Sequence, residues 1–203
     1  MDDVARGEAA LVESGGYVAQ LGDRTLHLTI TDPVTLYNTK GQIMLGPEEP
    51  GEPFAELVVL GEFIGVIPVE RSGEHPPHDL LIPEYMVPVP DDFGAYLSSL
   101  DPLVVEGEGE YSGDGSTGVY WDLSIDTALG QTYECPFGQC VATLVDEFLG
   151  PYMVGTERRF RIVRFSGDGE GVFGFIQSTP EELDDTLALA DMLLSGLDFE
   201  PTG

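Results

Sequence analysis

The chain is 203 residues long, with 42% apolar and 9% aromatic content, the composition of a folded protein rather than a disordered one. Its 37 acidic residues against 8 basic ones give a net charge of −29, far outside the magnitude of about 2 to 8 that is ordinary for a small soluble domain. That charge makes nucleic acid and anionic membrane poor partners, and no apolar run reaches the ~18 residues needed to span a bilayer.

Residues 1–14 read as a flexible acidic leader with neither a basic n-region nor an apolar h-region, such as would remain after a secretion or lipoprotein signal had been removed. Residues 15–203 then read as a single domain. Tyr17 to Leu21 and Arg24 to Ile30 flank Gly22-Asp23, a two-residue turn between hairpin arms. In the second arm Leu26, Leu28 and Ile30 alternate with His27, Thr29 and Thr31, so His27 points outward in a structural or solvated role. GPEEPGEP, from Gly46 to Pro53, is loop text. Ala55 to Val69 is the most apolar stretch of the N-terminal half and predicts one or two strands interrupted at Gly61 or Gly65.

Glu70 to Pro90 is proline-rich and reads as a surface excursion or lid. Asp92 then opens a short helix in which Phe93, Leu97 and Leu100 share a stripe, stopped by Asp101-Pro102. Leu103 to Val105 and Val119 to Ile125 predict strands separated by a loop, EGEGEYSGDGSTG. In the second strand Val119, Trp121, Leu123 and Ile125 share one face, which makes Trp121 a core anchor rather than a stacking platform. Near the end, Leu183, Leu187, Ala190, Leu194 and Leu197 recur at spacings of four and three, the stripe of a helix lying on a sheet. Thr179 and Glu182 around Pro180 predict its capping box.

Four features carry chemistry worth weighing. Cys135 and Cys140 enclose Pro136, Phe137, Gly138 and Gln139. The pair reads as a disulfide pinching a loop, worth about 2 kcal/mol for so short a ring; reduced thiols are the alternative, and no second cysteine pair exists to complete a zinc site. A redox-active dithiol would more typically be Cys-x-x-Cys at a helix start. Glu74-His75-Pro76-Pro77-His78-Asp79 is metal-like, because a polyproline II turn would bring His75 and His78 to one side with Asp79 near; two exposed loop histidines are the plainer reading. Arg158, Arg159, Arg161 and Arg164 are half of the basic residues, and Arg159 and Arg161 share a strand face opposite Phe160 and Ile162. They read as partners of carboxylates across the sheet, or more sharply as an anion-binding pair. Lastly, SGDGSTGV (Ser112 to Val119) and SGDGEGV (Ser166 to Val172) are acidic turns of the kind calcium favours, although each offers few ligands.

No nucleophile elbow, P-loop, dinucleotide fingerprint, zinc-protease motif or complete EF-hand is present, and the three histidines all precede residue 79. With a single lysine, Lys40, and a single asparagine, Asn38, the acidity suits adaptation to salt or a GC-rich genome, a cation-binding surface, or a secreted protein kept soluble by repulsion. A solvated face is the reading favoured.

From Thr156 to Phe199 the order is a basic and aromatic strand (Arg158 to Phe165), a glycine turn, a strand ending at Ser178, a helix from Pro180 to Leu194, and a closing Leu197-Asp198-Phe199. With the short helix near Phe93, this resembles PsbP-like domains, the fold of the photosystem II extrinsic subunit and of a group of actinobacterial secreted lipoproteins. The resemblance implies an antiparallel sheet with flanking helices in an α/β/α sandwich and an extracytoplasmic, non-enzymatic role. It transfers no functional residue.

The expected fold is therefore α+β, a mostly antiparallel sheet with the C-terminal helix packed on it. The expected function is a non-catalytic, secreted or surface-anchored binding or accessory domain that contacts another protein or a small ligand and carries no cofactor. The alternative is a calcium-stabilised or small-ligand-binding protein, and a carboxylate-based hydrolase ranks last.

Overall fold

The computed structural model describes residues 2–3, 9–21, 24–31, 33–39, 42–46, 57–76, 85–113, 116–146, 150–195 and 197–200. The first half holds β1 (Asp2–Asp3), β2 (Ala9–Val12), β3 (Gly15–Leu21), β4 (Arg24–Ile30), β5 (Val34–Thr39), β6 (Gln42–Gly46), β7 (Leu57–Glu62), β8 (Gly65–Val66) and, after a 3-10 turn at Val69–Arg71, the helix α1 (Phe93–Ser99). The second half holds β9 (Leu103–Ser112), β10 (Thr117–Ile125), β11 (Tyr133–Cys135), β12 (Gly138–Asp146), β13 (Gly150–Gly155), β14 (Arg159–Ser166), β15 (Val172–Ser178), α2 (Leu183–Ser195) and β16 (Leu197–Phe199).

This is a mixed α+β topology with a large antiparallel sheet and two packed helices. The largest sheet runs β2-β5-β6-β7-β15-β14-β10-β9; a second runs β1-β3-β4-β16, and a third is built on β12 with β11, β13 and β8 as neighbours. The contacts fall into two compact units, one made of Met1–Glu62, Gly109–Tyr120 and Arg161–Gly203, the other of Phe63–Glu108 and Trp121–Phe160.

In the first unit the β3–β4 hairpin forms as its alternation predicts, with Leu21 opposite Arg24 and Tyr17 opposite Leu28. Ala19, Leu21, Leu26, Leu28 and Ile30 are buried, while the intervening positions stay half-buried or exposed. β5 and β6, which the sequence analysis leaves unassigned, pair with each other and continue into β7. Val34, Leu36, Ile43, Leu45, Val58 and Leu60 thereby join one core with Val163, Phe165, Ala190, Leu194 and Phe199. The stretch expected as a leader contributes β2, whose Val12 stands opposite Val34 and is buried, and β1, which runs parallel to β3.

The predicted stripe of the last helix is realised: Ala190 and Leu194 of α2 and Leu197 just beyond it are buried, and Asp184, Asp185 and Asp191 are exposed. Its start differs from expectation. The helix begins at Leu183, and Thr179 Oγ1 donates to the Glu182 carboxylate at 2.6 Å, so the two side chains bond each other in a turn ahead of the helix. β16 then pairs with β4, Leu197 opposite Leu28 and Phe199 opposite Leu26.

In the second unit α1 is capped by Asp92, whose carboxylate accepts the Ala95 N–H at 2.9 Å. Its stripe of Phe93, Leu97 and Leu100 is buried, and Phe93 meets the buried Trp121 edge to face at 5.4 Å. Tyr96 buries its ring as well and donates its hydroxyl to the Ile67 carbonyl at 2.9 Å. Burial pushes that hydroxyl's pKa well up.

The clearest departure from the sequence expectation is EGEGEY, expected as loop and found as the body of the ten-residue edge strand β9. Glu106, Glu108 and Glu110 are exposed or half-buried on alternating positions, while Gly107 and Gly109 lie under the side chains of β10. A Cβ on Gly109 would come within 2.8 Å of the Tyr120 ring, so glycine is what lets that ring lie down. Glutamates along an open edge also deter pairing with another chain.

Candidate functional site

The basic strand is the first place to look for chemistry, since alternation on β14 puts Arg159 and Arg161 on the face that also carries Val163 and Phe165. In the first unit the Arg161 guanidinium lies over the Tyr120 ring at 4.2 Å from its centroid, and its Nη1 is 4.0 Å from Asp191 Oδ1 of α2. Only 16% of the Arg161 side chain is exposed, so the charge is largely sheltered between ring and carboxylate. The sequence analysis expects carboxylate partners across the sheet; for Arg161 the carboxylate comes from the helix instead, because α2 lies over this face.

Tyr111 shares that neighbourhood. Burial, and less strongly the Asp191 carboxylate, push its phenol up to about 12 against the opposing Ser116 hydroxyl. Yet no described group completes a well-formed hydrogen bond to the buried Tyr111 oxygen. The ring packs edge to face on Phe165 at 5.7 Å. Tyr111 therefore stays a neutral phenol, and the cluster offers an anion one cation that already has a carboxylate beside it.

Arg159 belongs to the second unit, where its Nε is 3.9 Å from Glu106 Oε2. Glu106 Oε1 also accepts the Ser124 hydroxyl at 2.6 Å. This pairing is across the sheet, as expected.

The metal-like cluster falls partly outside the described residues: His78 and Asp79 lie there, and only His75 can be placed. Its Nδ1 is 2.9 Å from the Pro76 carbonyl, which can only accept, so Nδ1 carries the proton and Nε2 keeps the lone pair. The ring packs on Tyr133 at 5.4 Å. Among the described residues no group of three histidine, cysteine or carboxylate side chains is placed to hold a metal ion.

Of the two acidic turns, Ser112 to Val119 includes residues 114–115, outside the described set, and closes with Gly113 donating to the Ser116 carbonyl at 2.8 Å. In Ser166 to Val172 a short 3-10 turn at Gly167–Gly169 begins with left-handed Gly167 and is followed by left-handed Gly171. The Glu170 carbonyl there accepts from Arg24 Nη2 at 2.6 Å, while Arg24 Nε pairs with Glu62 at 3.0 Å. A guanidinium at that carbonyl repels a second cation. Sequence reasoning passed over Arg24, which joins β4, β7 and the turn before β15; nothing local in its sequence marks that role.

The Cys135–Cys140 disulfide is formed, with Cα atoms 6.0 Å apart. What reads as a loop is a hairpin, with Cys135 opposite Gly138 and Tyr133 opposite Cys140. Gly138 has φ of 89°, a left-handed value that a side chain would strain. His27, expected to face outward, does so and bonds Glu200 through Nε2 at 2.9 Å. That bond is the main cause holding the Glu200 carboxyl below its ordinary value.

Among the described residues no helix is long and apolar enough to cross a membrane. No protein family, no curated protein and no solved structure matches this chain.

Proposed function

We propose that this chain is a non-catalytic binding or accessory domain working outside the cytoplasm, secreted or held at the cell surface. The observation that carries the reading is in the second unit: Ile64, Val69 and Val87, on the segments beside β8, are 41%, 42% and 42% exposed, with Val87 bridged to Val66. Exposed aliphatic side chains on neighbouring segments, in a chain of charge −29, are a means of contacting another protein. The closed disulfide supports an oxidising compartment. The succession β14, glycine turn, β15, α2 and β16 supports a PsbP-like arrangement of the first unit.

The compartment is tested by fractionating the producing cells. Recovery in the medium or at the protease-accessible cell surface fits the proposal; recovery with the cytoplasm contradicts the location. The contact surface is tested by placing a photo-crosslinking residue at position 69 or 87 and, for comparison, at position 184. A discrete adduct from the first two positions but not the third supports the reading, and adducts from none or from all three equally contradict it.

The alternative is a calcium-stabilised or small-ligand-binding protein using the acidic turns, His75, or Arg159 and Arg161. The Nε2 lone pair of His75 favours it. The guanidinium at the Glu170 carbonyl weighs against it in that turn.

A further inference from the structure

The two sulfurs of the disulfide stand in different surroundings. Cys140 is fully buried in a small core with Ile67, Tyr133, Ala142 and Val145, and it sits directly opposite Gly155 of β13. A Cβ at Gly155 would lie 2.9 Å from its Sγ, so nothing larger than glycine fits beneath it. Cys135 is half-buried, at the rim of that core, and its Sγ accepts the Phe137 N–H at 3.2 Å. A backbone N–H on a sulfur stabilises the thiolate, as does a nearby cation. Beside that turn the Arg158 guanidinium lies 5.7 Å from the Phe137 ring centroid, and its buried Nε has no hydrogen-bond partner among the described residues.

The turn that carries these groups is held by hydrogen bonds as well as by the S–S bond. Glu157 donates to the Phe137 carbonyl at 3.1 Å, Thr156 to the Gln139 carbonyl at 3.0 Å, and Gln139 to Thr156 Oγ1 at 3.1 Å. Thr132 adds a bond to the Gln139 side chain at 2.9 Å. With only four residues between the cysteines, the bond also constrains the unfolded chain less than a long-range disulfide would. A disulfide whose hairpin has hydrogen bonds of its own, with one accessible, N–H-bonded sulfur and one sheltered sulfur, has the parts of an exchange site.

We propose that Cys135 and Cys140 form a reversible dithiol–disulfide couple, with Cys135 the sulfur that exchanges with an external dithiol and Cys140 the resolving sulfur. In reduction, a thiolate of the external dithiol attacks Cys135 Sγ, forming a mixed disulfide and expelling Cys140 as a thiolate, which takes a proton from water. The second thiol of the donor, losing its proton, then attacks the donor sulfur of the mixed disulfide. Cys135 is released as a thiolate held by the Phe137 N–H, and the donor leaves as its own disulfide. Two electrons pass from donor to protein; oxidation runs the same steps in reverse.

The test uses the whole native chain at neutral pH. After dithiothreitol without denaturant, the protein is expected to take up one carbamidomethyl group, at Cys135, with unchanged circular dichroism and a second, at the buried Cys140, only in denaturant, and an untrapped sample moved into oxidised glutathione is expected to regain the bond. No alkylation of Cys135 until denaturant is added, or reduction accompanied by loss of the spectrum, would overturn the proposal. A second measurement compares Cys140→Ser with Cys135→Ser in their reaction with 5,5′-dithiobis(2-nitrobenzoate). The remaining Cys135 should react about tenfold or more faster than the remaining Cys140; equal rates, or the reverse order, overturn the assignment of roles.

Discussion

Gly109→Ala tests whether the glycines of β9 are seats for side chains of β10. The new Cβ would fall 2.8 Å from Cε1, Cζ and Oη of Tyr120, where ordinary contact begins at 3.4 Å, so the ring must withdraw by about half an ångström or more. It cannot do so freely, because the Arg161 guanidinium rests on it at 4.2 Å. Overpacking of this kind costs about 1–3 kcal/mol, and disturbing a sheltered cation–π contact accounts for about 0.5–2 kcal/mol of that. Replacing glycine by alanine in a strand returns about 0.5–1 kcal/mol. The net expectation is a loss of about 1–2 kcal/mol. In a Tyr120→Ala background the same change should be neutral or stabilising, because no ring remains to displace. Urea unfolding of the four proteins gives the coupling directly. As a control, Gly107→Ala meets only the Asp122 side chain, its carboxylate at 3.2 Å against 2.8 Å for the Tyr120 ring, and should cost clearly less than Gly109→Ala. A Gly109→Ala protein as stable as the parent, or two changes that simply add, would refute this account of β9.

Leu194→Ala removes a fully buried side chain whose methyls stand over Gly174 of β15, and should cost about 2–5 kcal/mol, read as a melting midpoint lowered by about 2–4 °C per kcal/mol. An unchanged midpoint would mean that α2 does not pack on the sheet. Glu200→Gln tests the clasp on His27. Because the carboxyl is held below its ordinary value of 4.5, chiefly by the His27 hydrogen bond, its contribution is present above that value and is lost as the pH falls through the folded-state value. The stability difference between parent and variant should therefore persist at neutral pH and vanish on acidification; a difference that grows in acid contradicts the assignment.

The elements legible in the sequence were those whose signal is local. The β3–β4 hairpin, the Asp92 cap with its Phe93, Leu97 and Leu100 stripe, and the apolar stripe through Leu194 each follow from spacing alone. EGEGEY was not legible, because its alternation of glutamate and glycine becomes a strand pattern only once Tyr120 and Asp122 of the neighbouring strand fill the glycine positions. β5 and β6, separated in sequence only by Lys40-Gly41, take their place from pairing with β2 and β7. For the basic strand, the shared face of Arg159 and Arg161 was readable from period two, whereas their carboxylates were not, since Glu106 and Asp191 come from distant sequence. The disulfide was readable from the cysteines; the hairpin that carries it depends on β13 as a neighbour.

The acidic residues described here face outward along β9 and on the exposed side of α2, so the charge of −29 is read as a solvated, self-repelling surface rather than a metal centre. A thermal melt in EDTA against millimolar calcium, with ionic strength matched by sodium chloride, tests that claim most directly. The account predicts that both midpoints rise together with ionic strength and coincide once it is matched. A midpoint raised by calcium well beyond matched salt would contradict it and establish a specific cation site.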